Sequence, residues 1–193
     1  MPDQDRAYDL LDTFNKHSVV MFSQQQRIYA NLAKALCGCT VLEAGCGNGV
    51  GTAILSQTSS QIIGTDVNSR NTAFAKCLYP WIPFYLWDIR EPTSLRAEVV
   101  VCVEAIEHVE DLERSLRNLA DAALDCLWLS TPNGTGKPIP PDNPYHIEEY
   151  TPSEVISAVK TVLHRSAIIR HYDTWEILGV DTLVDPLVYE IQL

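Results

Sequence analysis

The chain has few basic residues and no long apolar run. Lys and Arg number 14 against 25 Asp and Glu, which gives a formal net charge of −11. Binding a long nucleic acid through its phosphates requires clustered cations, so this charge disfavours such a partner. No apolar run approaches the roughly 18 to 20 residues of a membrane helix, and the polar start MPDQDRAYDLLD lacks the apolar core of a signal peptide. We expect a cytoplasmic protein without a membrane span.

The chain also lacks a convincing cysteine framework and any internal repeat. Cys37 and Cys39 form a close pair, but no second Cys/His pair follows at zinc-finger spacing. Cys102 and Cys126 lie in apolar, strand-like runs and Cys46 lies in a glycine-rich turn, so we expect free thiols in a reducing compartment. With 193 residues, 46% of them hydrophobic, the sequence predicts one domain over 1–193. It leaves the oligomeric state open.

The most informative stretch that is present is TVLEAGCGNGVGT, residues 40–52. An apolar run stops at Glu43 and gives way to Gly45, Gly47 and Gly49, which is typical of a strand, a tight turn and a helix. Glycines at alternate positions let a ligand approach the backbone, and the start of the next helix offers unpaired N–H groups. The pattern predicts a nucleotide-like ligand.

Strand and helix patterns alternate along the rest of the chain. An N-terminal segment, 1–38, contains a helix with Ser23 as its N-cap, and Thr151 to Glu154 begins the last helix. The alternation predicts an α/β fold, Rossmann-like and doubly wound, with a mostly parallel seven-stranded sheet and an antiparallel C-terminal hairpin. The predicted strands are 39–44, 61–66, 84–87, 97–103, 126–130, 166–170 and 187–193.

The segment 131–150 contains five prolines and two glycines, which exclude regular secondary structure. A loop of this length in a compact domain is usually functional or disordered. We therefore predict a lid over the substrate site, and it carries His146.

Acidic residues end the first four predicted strands. In a doubly wound sheet, ligands lie outside the C-terminal strand ends, where Glu43, Asp66, Asp88 and Glu104 all fall. A carboxylate at Asp66 can accept both ribose hydroxyls of a nucleoside, and Asp88 with Ile89 is placed to meet an adenine. A dehydrogenase also combines a glycine loop with such an acid, but its G-x-G-x-x-G fingerprint would need glycine where Val50 stands.

These motifs together resemble a known family. EAGCGNG is similar to motif I of class I S-adenosylmethionine-dependent methyltransferases, and GTD, LWDI and VVVCVEAIEHVED are similar to their later motifs. The resemblance runs from about Arg27 to Leu193. More narrowly, EAIEHVED, STPNG and NPYHIEEYTPSEV resemble small bacterial and phage methyltransferases, some of them associated with polysaccharide genes.

The resemblance implies S-adenosylmethionine as cofactor and assigns its binding residues. By it, the three glycines approach the methionine part, Asp66 binds the ribose, Asp88 binds the adenine, and Glu43 acts on the ammonium group directly or through water. The full implied cofactor-binding set is Glu43, Gly45, Cys46, Gly47, Gly49, Asp66, Val67, Asp88, Ile89 and Glu104.

The E-x-x-E-H segment supplies the candidates for catalysis. Glu107, His108 and His146 are the candidate catalytic groups, because few other basic side chains should face the reacting methyl. E-x-x-E-H also resembles the metal-binding segment of small-RNA 2′-O-methyltransferases and of ubiquinone-pathway O-methyltransferases. That resemblance implies a site for Mg²⁺, Mn²⁺ or Zn²⁺ at Glu104, Glu107, His108 and His146. The alternative is that both glutamates only cap the next helix and shape the pocket.

The sequence therefore predicts a methyltransferase that acts on an oxygen of a small-molecule or glycan acceptor, with a sugar hydroxyl first. An RNA 2′-hydroxyl is one alternative. A catalytically silent, cofactor-binding regulatory module is another, from a different functional class.

Overall fold

A computed structural model gives the fold and describes residues 16–132, 134, 146–163, 168–172 and 187–193. The helices are α1 (Lys16–Ala35), α2 (Val50–Leu55), α3 (Ser69–Leu78), α4 (Leu112–Ala122) and α5 (Pro152–Leu163), with a 3₁₀ turn at Ile106–His108. The strands are β1 (Thr40–Ala44), β2 (Gln61–Asp66), β3 (Phe84–Leu86), β4 (Ala97–Val103), β5 (Ala123–Thr131), β6 (Ile168–Tyr172) and β7 (Leu187–Gln192). Among the described helices, none is long and apolar enough to cross a membrane.

The seven strands form one sheet in the order β3-β2-β1-β4-β5-β7-β6. Neighbouring strands from β1 to β5 pair in parallel, and β7 runs antiparallel to both β5 and β6. The predicted α/β class, the mostly parallel sheet and the antiparallel C-terminal pair are confirmed. Because β1 to β4 are parallel, their C-terminal ends lie along one edge, where the predicted site residues fall.

Strand β4 divides the two halves of the core. Val100 and Cys102 pack with α4 and α5 on one face of the sheet, whereas Val99, Val101 and Val103 pack with α1 and α2 on the other. A strand buried on both faces reads as a continuous apolar run, as this one does. Burying each valine stabilises the fold by roughly 1.5–3 kcal/mol.

Several element boundaries differ from the prediction. Helix α1 begins at Lys16, so Ser23 lies within it and is not its N-cap. The apolar run VVMF before Ser23 continues the helical pattern, which explains the earlier start. Strand β5 begins at Ala123, directly after α4, because Ala123 pairs with Ala97 of β4. Strand β3 ends at Leu86, and β6 covers 168–172.

Part of two predicted segments lies outside the described residues. The N-terminal segment is described from residue 16 onward, and its helix is α1. Of the predicted lid 131–150, residues 131, 132, 134 and 146–150 are described. The lid function and the single domain over 1–193 stay predictions.

Candidate active site

The glycine turn joins β1 to α2 through left-handed backbone. Gly45, Gly47 and Gly49 have φ angles of 73°, 53° and 80°, in a region that other residues rarely adopt. A Cβ atom on Gly45 would lie 2.7 Å from the Cβ of Ala105. The turn therefore touches the residue that follows Glu104, and the ends of β1 and β4 meet there.

Asp66 ties this turn to the end of β2. Its Oδ2 accepts a hydrogen bond from the Gly47 N–H at 2.8 Å, and its Oδ1 accepts one from the Asn68 N–H at 2.8 Å. The Asn71 side-chain amide donates to Oδ1 at 3.3 Å. The preceding N–H of the turn, that of Cys46, donates to the Thr65 carbonyl at 2.8 Å. Asp66 thus holds the shape of the glycine turn, a role that the sequence analysis did not assign.

Glu43 is fully buried beneath the turn. The Thr52 hydroxyl donates to its Oε2, and Tyr29 of α1 lies beside it. Burial raises the pKa of Glu43 to about 7, although hydrogen bonding from Thr52 and Tyr29 acts in the opposite direction. Since the carboxyl has no exposed surface, it would act on a ligand through the turn or through an intervening water.

The predicted adenine residues lie further along the same edge. Asp88 accepts hydrogen bonds from the Arg90 guanidinium at 2.6 and 2.9 Å, and this contact lowers the pKa of Asp88. Ile89 is buried, and Val67, directly after Asp66, is 49% exposed. An exposed apolar side chain next to a fixed carboxylate suits the edge of an adenine pocket.

Glu104 occupies an unusual backbone position at the end of β4. Its φ of 51° lies in the left-handed region, which residues other than glycine rarely adopt. The Glu104 N–H donates to the Ser130 carbonyl at 3.1 Å, and the Ser130 hydroxyl donates to Glu104 Oε1 at 2.7 Å. Ser130 on the neighbouring strand β5 therefore holds both the backbone and the side chain of Glu104.

Glu107, His108 and His146 come together in the structure. One ligand atom from each lies within 4.8 Å of the others, although His146 is distant in sequence. The two imidazole rings meet edge to face, with centroids 5.0 Å apart. Glu107 is buried, and burial with the neighbouring Glu104 carboxylate raises the pKa of Glu107 well above its ordinary value.

The two oxygens of Glu107 have different surroundings. The Thr131 hydroxyl donates to Oε2 at 3.4 Å. Within the described ranges, Oε1 accepts no hydrogen bond, and it lies 3.9 Å from His108 Nε2. A buried carboxylate oxygen beside two imidazoles is suited to a cation or to an acceptor hydroxyl.

Glu104 does not join this group. Of the four residues predicted to hold a metal, the structure brings together the three above, while the Glu104 carboxylate is bound by Ser130. The difference arises because Glu104 directly follows β4, whereas Glu107 and His108 lie in the 3₁₀ turn beyond it.

Backbone contacts hold the segment 146–150 against the 3₁₀ turn. The Ile147 N–H donates to the Glu107 carbonyl at 2.8 Å, and the Gly134 N–H donates to the Tyr150 carbonyl at 3.0 Å. A Cβ on Gly134 would lie 2.2 Å from the Glu149 carbonyl oxygen, so only glycine fits there. The Thr151 N–H and hydroxyl both donate to Glu154 Oε2 at 2.7 Å, which fixes the start of α5.

Glu149 is a site residue that the sequence analysis missed. One of its carboxylate oxygens, Oε1, lies 2.7 Å from His146 Nδ1. The available signal was a carboxylate three residues after a candidate histidine, which in an irregular loop does not predict a contact.

The three-residue group fits a divalent transition-metal ion by its chemistry. Two imidazoles and one carboxylate favour Zn²⁺ over Mg²⁺, because Mg²⁺ prefers a shell of oxygen atoms only. The carboxylate behind His146 is the kind of partner that metal-binding imidazoles have in proteins. Among the described residues, no donor hydrogen-bonds to Glu107 Oε1, so an ion bound there would not have to displace one.

The sequence is similar to those of known methyltransferases. The sequence profile of the family described as "Methyltransferase domain" matches residues 42–123. A Mycobacterium tuberculosis protein named as a probable S-adenosylmethionine-dependent methyltransferase is 31% identical over 146 residues, which are 70% of this chain and 52% of that protein. The human mitochondrial ubiquinone biosynthesis O-methyltransferase is 33% identical over 94 residues, 44% of this chain and 26% of the relative. The chain spans about half the length of the mycobacterial relative.

Solved structures share the fold. The magnesium protoporphyrin IX methyltransferase of Synechocystis, solved with bound SAH, superposes with a TM-score of 0.73 at 16% identity. The likeness covers 92% of this chain and 87% of that structure. The segment matched by the family profile contains the glycine turn, Asp66, Asp88 and Glu107, whereas His146 lies beyond it.

Proposed function

We propose that this chain is a class I S-adenosylmethionine-dependent methyltransferase, because residues 42–123 match the methyltransferase domain family and the mycobacterial relative is named as a probable enzyme of this kind. We propose further that it methylates a hydroxyl oxygen of a sugar, a glycan or another modest-sized acceptor. S-adenosylmethionine is the cofactor of this family. The acceptor class and the roles of individual residues are part of the proposal.

The cofactor would lie along the C-terminal edge of β1, β2 and β4. The left-handed turn at Gly45, Gly47 and Gly49 leaves room for the methionine part, with Cys46 between the glycines. Asp66 would bind the ribose while it holds the turn, and Val67, Asp88 and Ile89 would surround the adenine. Glu43 would support the turn from below, and Glu104 would border the methionine part.

The observation that carries oxygen methylation is the group of Glu107, His108 and His146 beside the glycine turn. When the acceptor oxygen takes the methyl, the carbon–sulfur bond breaks and the sulfonium becomes a neutral thioether, so the leaving group needs no proton. A hydroxyl acceptor does lose a proton, and an imidazole within hydrogen-bond reach can take it. Gly45 touches Ala105, two residues before Glu107, so the proton acceptors lie close to the cofactor turn.

A divalent metal would be held by Glu107, His108 and His146, with the Glu104 carboxylate nearby but bound to Ser130. The ion would supply Lewis-acid activation of the acceptor oxygen. The imidazoles and Glu107 would orient the acceptor whether or not an ion is present.

Incubation with radiolabelled S-adenosylmethionine and a panel of nucleotide sugars, glycans and RNA tests the function. We expect label in a sugar or glycan product, and at least about tenfold slower transfer by Glu107→Gln, as for loss of acid–base assistance. Glu110→Gln is the matched control, since that glutamate follows the group without belonging to it. Calorimetry should show that all variants bind the cofactor alike. Cofactor binding without transfer to any acceptor would contradict the enzymatic proposal.

Calorimetry with Mg²⁺, Mn²⁺ and Zn²⁺ tests the metal separately. The expected result is heat of binding with Zn²⁺ or Mn²⁺ that Glu107→Ala abolishes. If none of the three ions gives heat with the wild type, the metal part of the proposal is discarded, and an imidazole remains as the proposed base.

An RNA 2′-hydroxyl is the alternative acceptor. It also loses a proton on methylation, so the group of Glu107, His108 and His146 would serve both acceptors. The net charge of −11 weighs against a polyanionic acceptor. A silent cofactor-binding module would not need Glu107, His108 and His146 to be held together, and their proximity argues for catalysis.

A further inference from the structure

His146 and Glu149 form a mostly buried pair on the segment 146–150. The distance from His146 Nδ1 to Glu149 Oε1 is 2.7 Å, and the side chains are 14% and 23% exposed. Both residues lie on backbone held to the Glu107 carbonyl by the Ile147 and Glu148 N–H groups, at 2.8 and 3.3 Å. The pair is therefore fixed relative to Glu107.

A carboxylate beside one ring nitrogen determines where a neutral imidazole carries its proton. Ionised Glu149 can only accept a hydrogen bond, so His146 Nδ1 must donate. The proton then resides on Nδ1, and Nε2 keeps an unshared electron pair. With Nδ1 bound to Glu149, Nε2 is the ring nitrogen that His146 has left for an acceptor or an ion, and His146 lies in the group with Glu107 and His108.

Glu107 Oε1 lies 3.9 Å from His108 Nε2, which is beyond hydrogen-bond distance. The contact between His146 and Glu149 is 1.2 Å shorter than this one.

We propose that Glu149 is a positioning residue, which sets the tautomer and orientation of His146 so that Nε2 receives a proton or binds an ion. The proposal rests on the proposed function for its chemical meaning, but not for its test. Glu149 acts through His146 and belongs to neither the three-residue group nor the cofactor turn.

The test reads the tautomer directly, by long-range ¹H–¹⁵N correlation of the imidazole nitrogens at neutral pH without metal or cofactor. The His146 signals are assigned by their loss in His146→Gln. In the wild type we expect the form protonated at Nδ1. In Glu149→Ala that form should give way to the Nε2-protonated form, which predominates in free histidine. Glu148→Gln removes an exposed charge next in sequence and should leave the spectrum unchanged.

A wild-type spectrum with the proton on Nε2 overturns the proposal without any variant, so a folding defect cannot obscure the result. Equal tautomer populations in wild type and Glu149→Ala also overturn it. If the tautomer changes as expected but no acceptor is methylated, the proposed function fails and the positioning role stands. If the wild-type protein binds Zn²⁺, Glu149→Ala should weaken that binding by about 10–100-fold. An unchanged affinity would contradict the positioning role.

Discussion

The buried acids of this site do different work because their surroundings differ. Asp66 accepts hydrogen bonds from two backbone N–H groups, those of Gly47 and Asn68. Glu43 and Glu107 are buried with fewer donors, and burial raises the pKa of both. Asp66 therefore fixes the glycine turn, whereas the two glutamates are poised to bind a proton.

Glu43 should make the stability of the fold depend on pH. Its pKa rises from 4.5 to about 7 on folding, so the native state binds more protons than the unfolded state between these values. The contribution of protonated Glu43 is complete below pH 4.5 and is lost as the pH rises through about 7. Denaturant unfolding should show Glu43→Gln gaining stability relative to wild type by about 3 kcal/mol over this range.

Glu98 offers a control of opposite sign. Hydrogen bonds from the Thr40 N–H and hydroxyl lower the pKa of this half-buried residue. The stabilisation that ionised Glu98 gives the fold is present above pH 4.5 and is lost as the pH falls through its lowered pKa. Glu98→Gln should therefore lose stability at neutral pH and match the wild type in acid. Parallel pH profiles for wild type and Glu43→Gln would refute the raised pKa of Glu43.

Removing the Asp66 carboxylate should weaken cofactor binding. Asp66→Ala loses the hydrogen bonds from the Gly47 and Asn68 N–H groups, each contributing about 1.5–3 kcal/mol, as well as the longer one from Asn71, and with them the shape of the glycine turn. We expect affinity for S-adenosylmethionine to fall by at least about tenfold in calorimetry. Asn71→Ala removes only the longer contact to the same carboxylate and should bind nearly normally. Equal effects of the two substitutions would exclude the turn-holding role.

At the residue level, sequence predicted the carboxylates better than their contacts. A strand-end acid is visible as a pattern, so Asp66 was found, but its bond to Gly47 depends on how the turn folds back. The positive φ of Glu104 leaves no trace in the sequence, because glutamate rarely adopts it. Glu149 was missed because its role depends on a loop docking beside Glu107.

At the level of elements, pairing between strands changed the boundaries that local sequence patterns predicted. The bounds of β2 and β4 match the prediction, since each is an apolar run that closes on an acid. The start of β5 was predicted three residues late, because pairing with β4 extends the strand into residues that resemble the end of a helix. A cap signal at Ser23 was outweighed by the apolar residues before it.

The glycine turn allows a matched test of space against backbone strain. Gly45 and Gly38 both have left-handed φ angles, 73° and 83°, but only Gly45 has a neighbour, the Ala105 Cβ, where its own Cβ would lie. Gly38→Ala should cost about 1–2 kcal/mol of unfolding free energy from strain alone and leave cofactor affinity intact. Gly45→Ala should cost more, and it should reduce cofactor affinity at least about tenfold as β1 and β4 move apart. Normal cofactor binding by Gly45→Ala would show that the turn tolerates this shift.

For the whole molecule, the sheet topology bears on where the cofactor would bind, and the net charge bears on which acceptor would bind. The sheet order brings the strand-end acids to one edge, which is the proposed cofactor side. Around the proposed acceptor side, Glu110, Glu148 and Glu149 add acidic side chains to a protein that is already acidic. A neutral sugar is not repelled there, whereas a polyanion is.

This charge distribution predicts how the acceptor should respond to salt. Binding of a single-stranded RNA oligonucleotide, followed by fluorescence anisotropy, should be weaker than about 10⁻⁴ M at physiological salt, the weak end of non-specific affinities. Methyl transfer to a neutral sugar acceptor should change little as ionic strength rises, because few charges are neutralised on binding. Tight RNA binding that weakens steeply with salt would reveal a local cationic surface despite the net charge of −11 and would favour the RNA 2′-hydroxyl as acceptor. Glu107→Gln separates acceptor binding from chemistry: for whichever acceptor is correct, this variant should slow methyl transfer and leave acceptor binding in place.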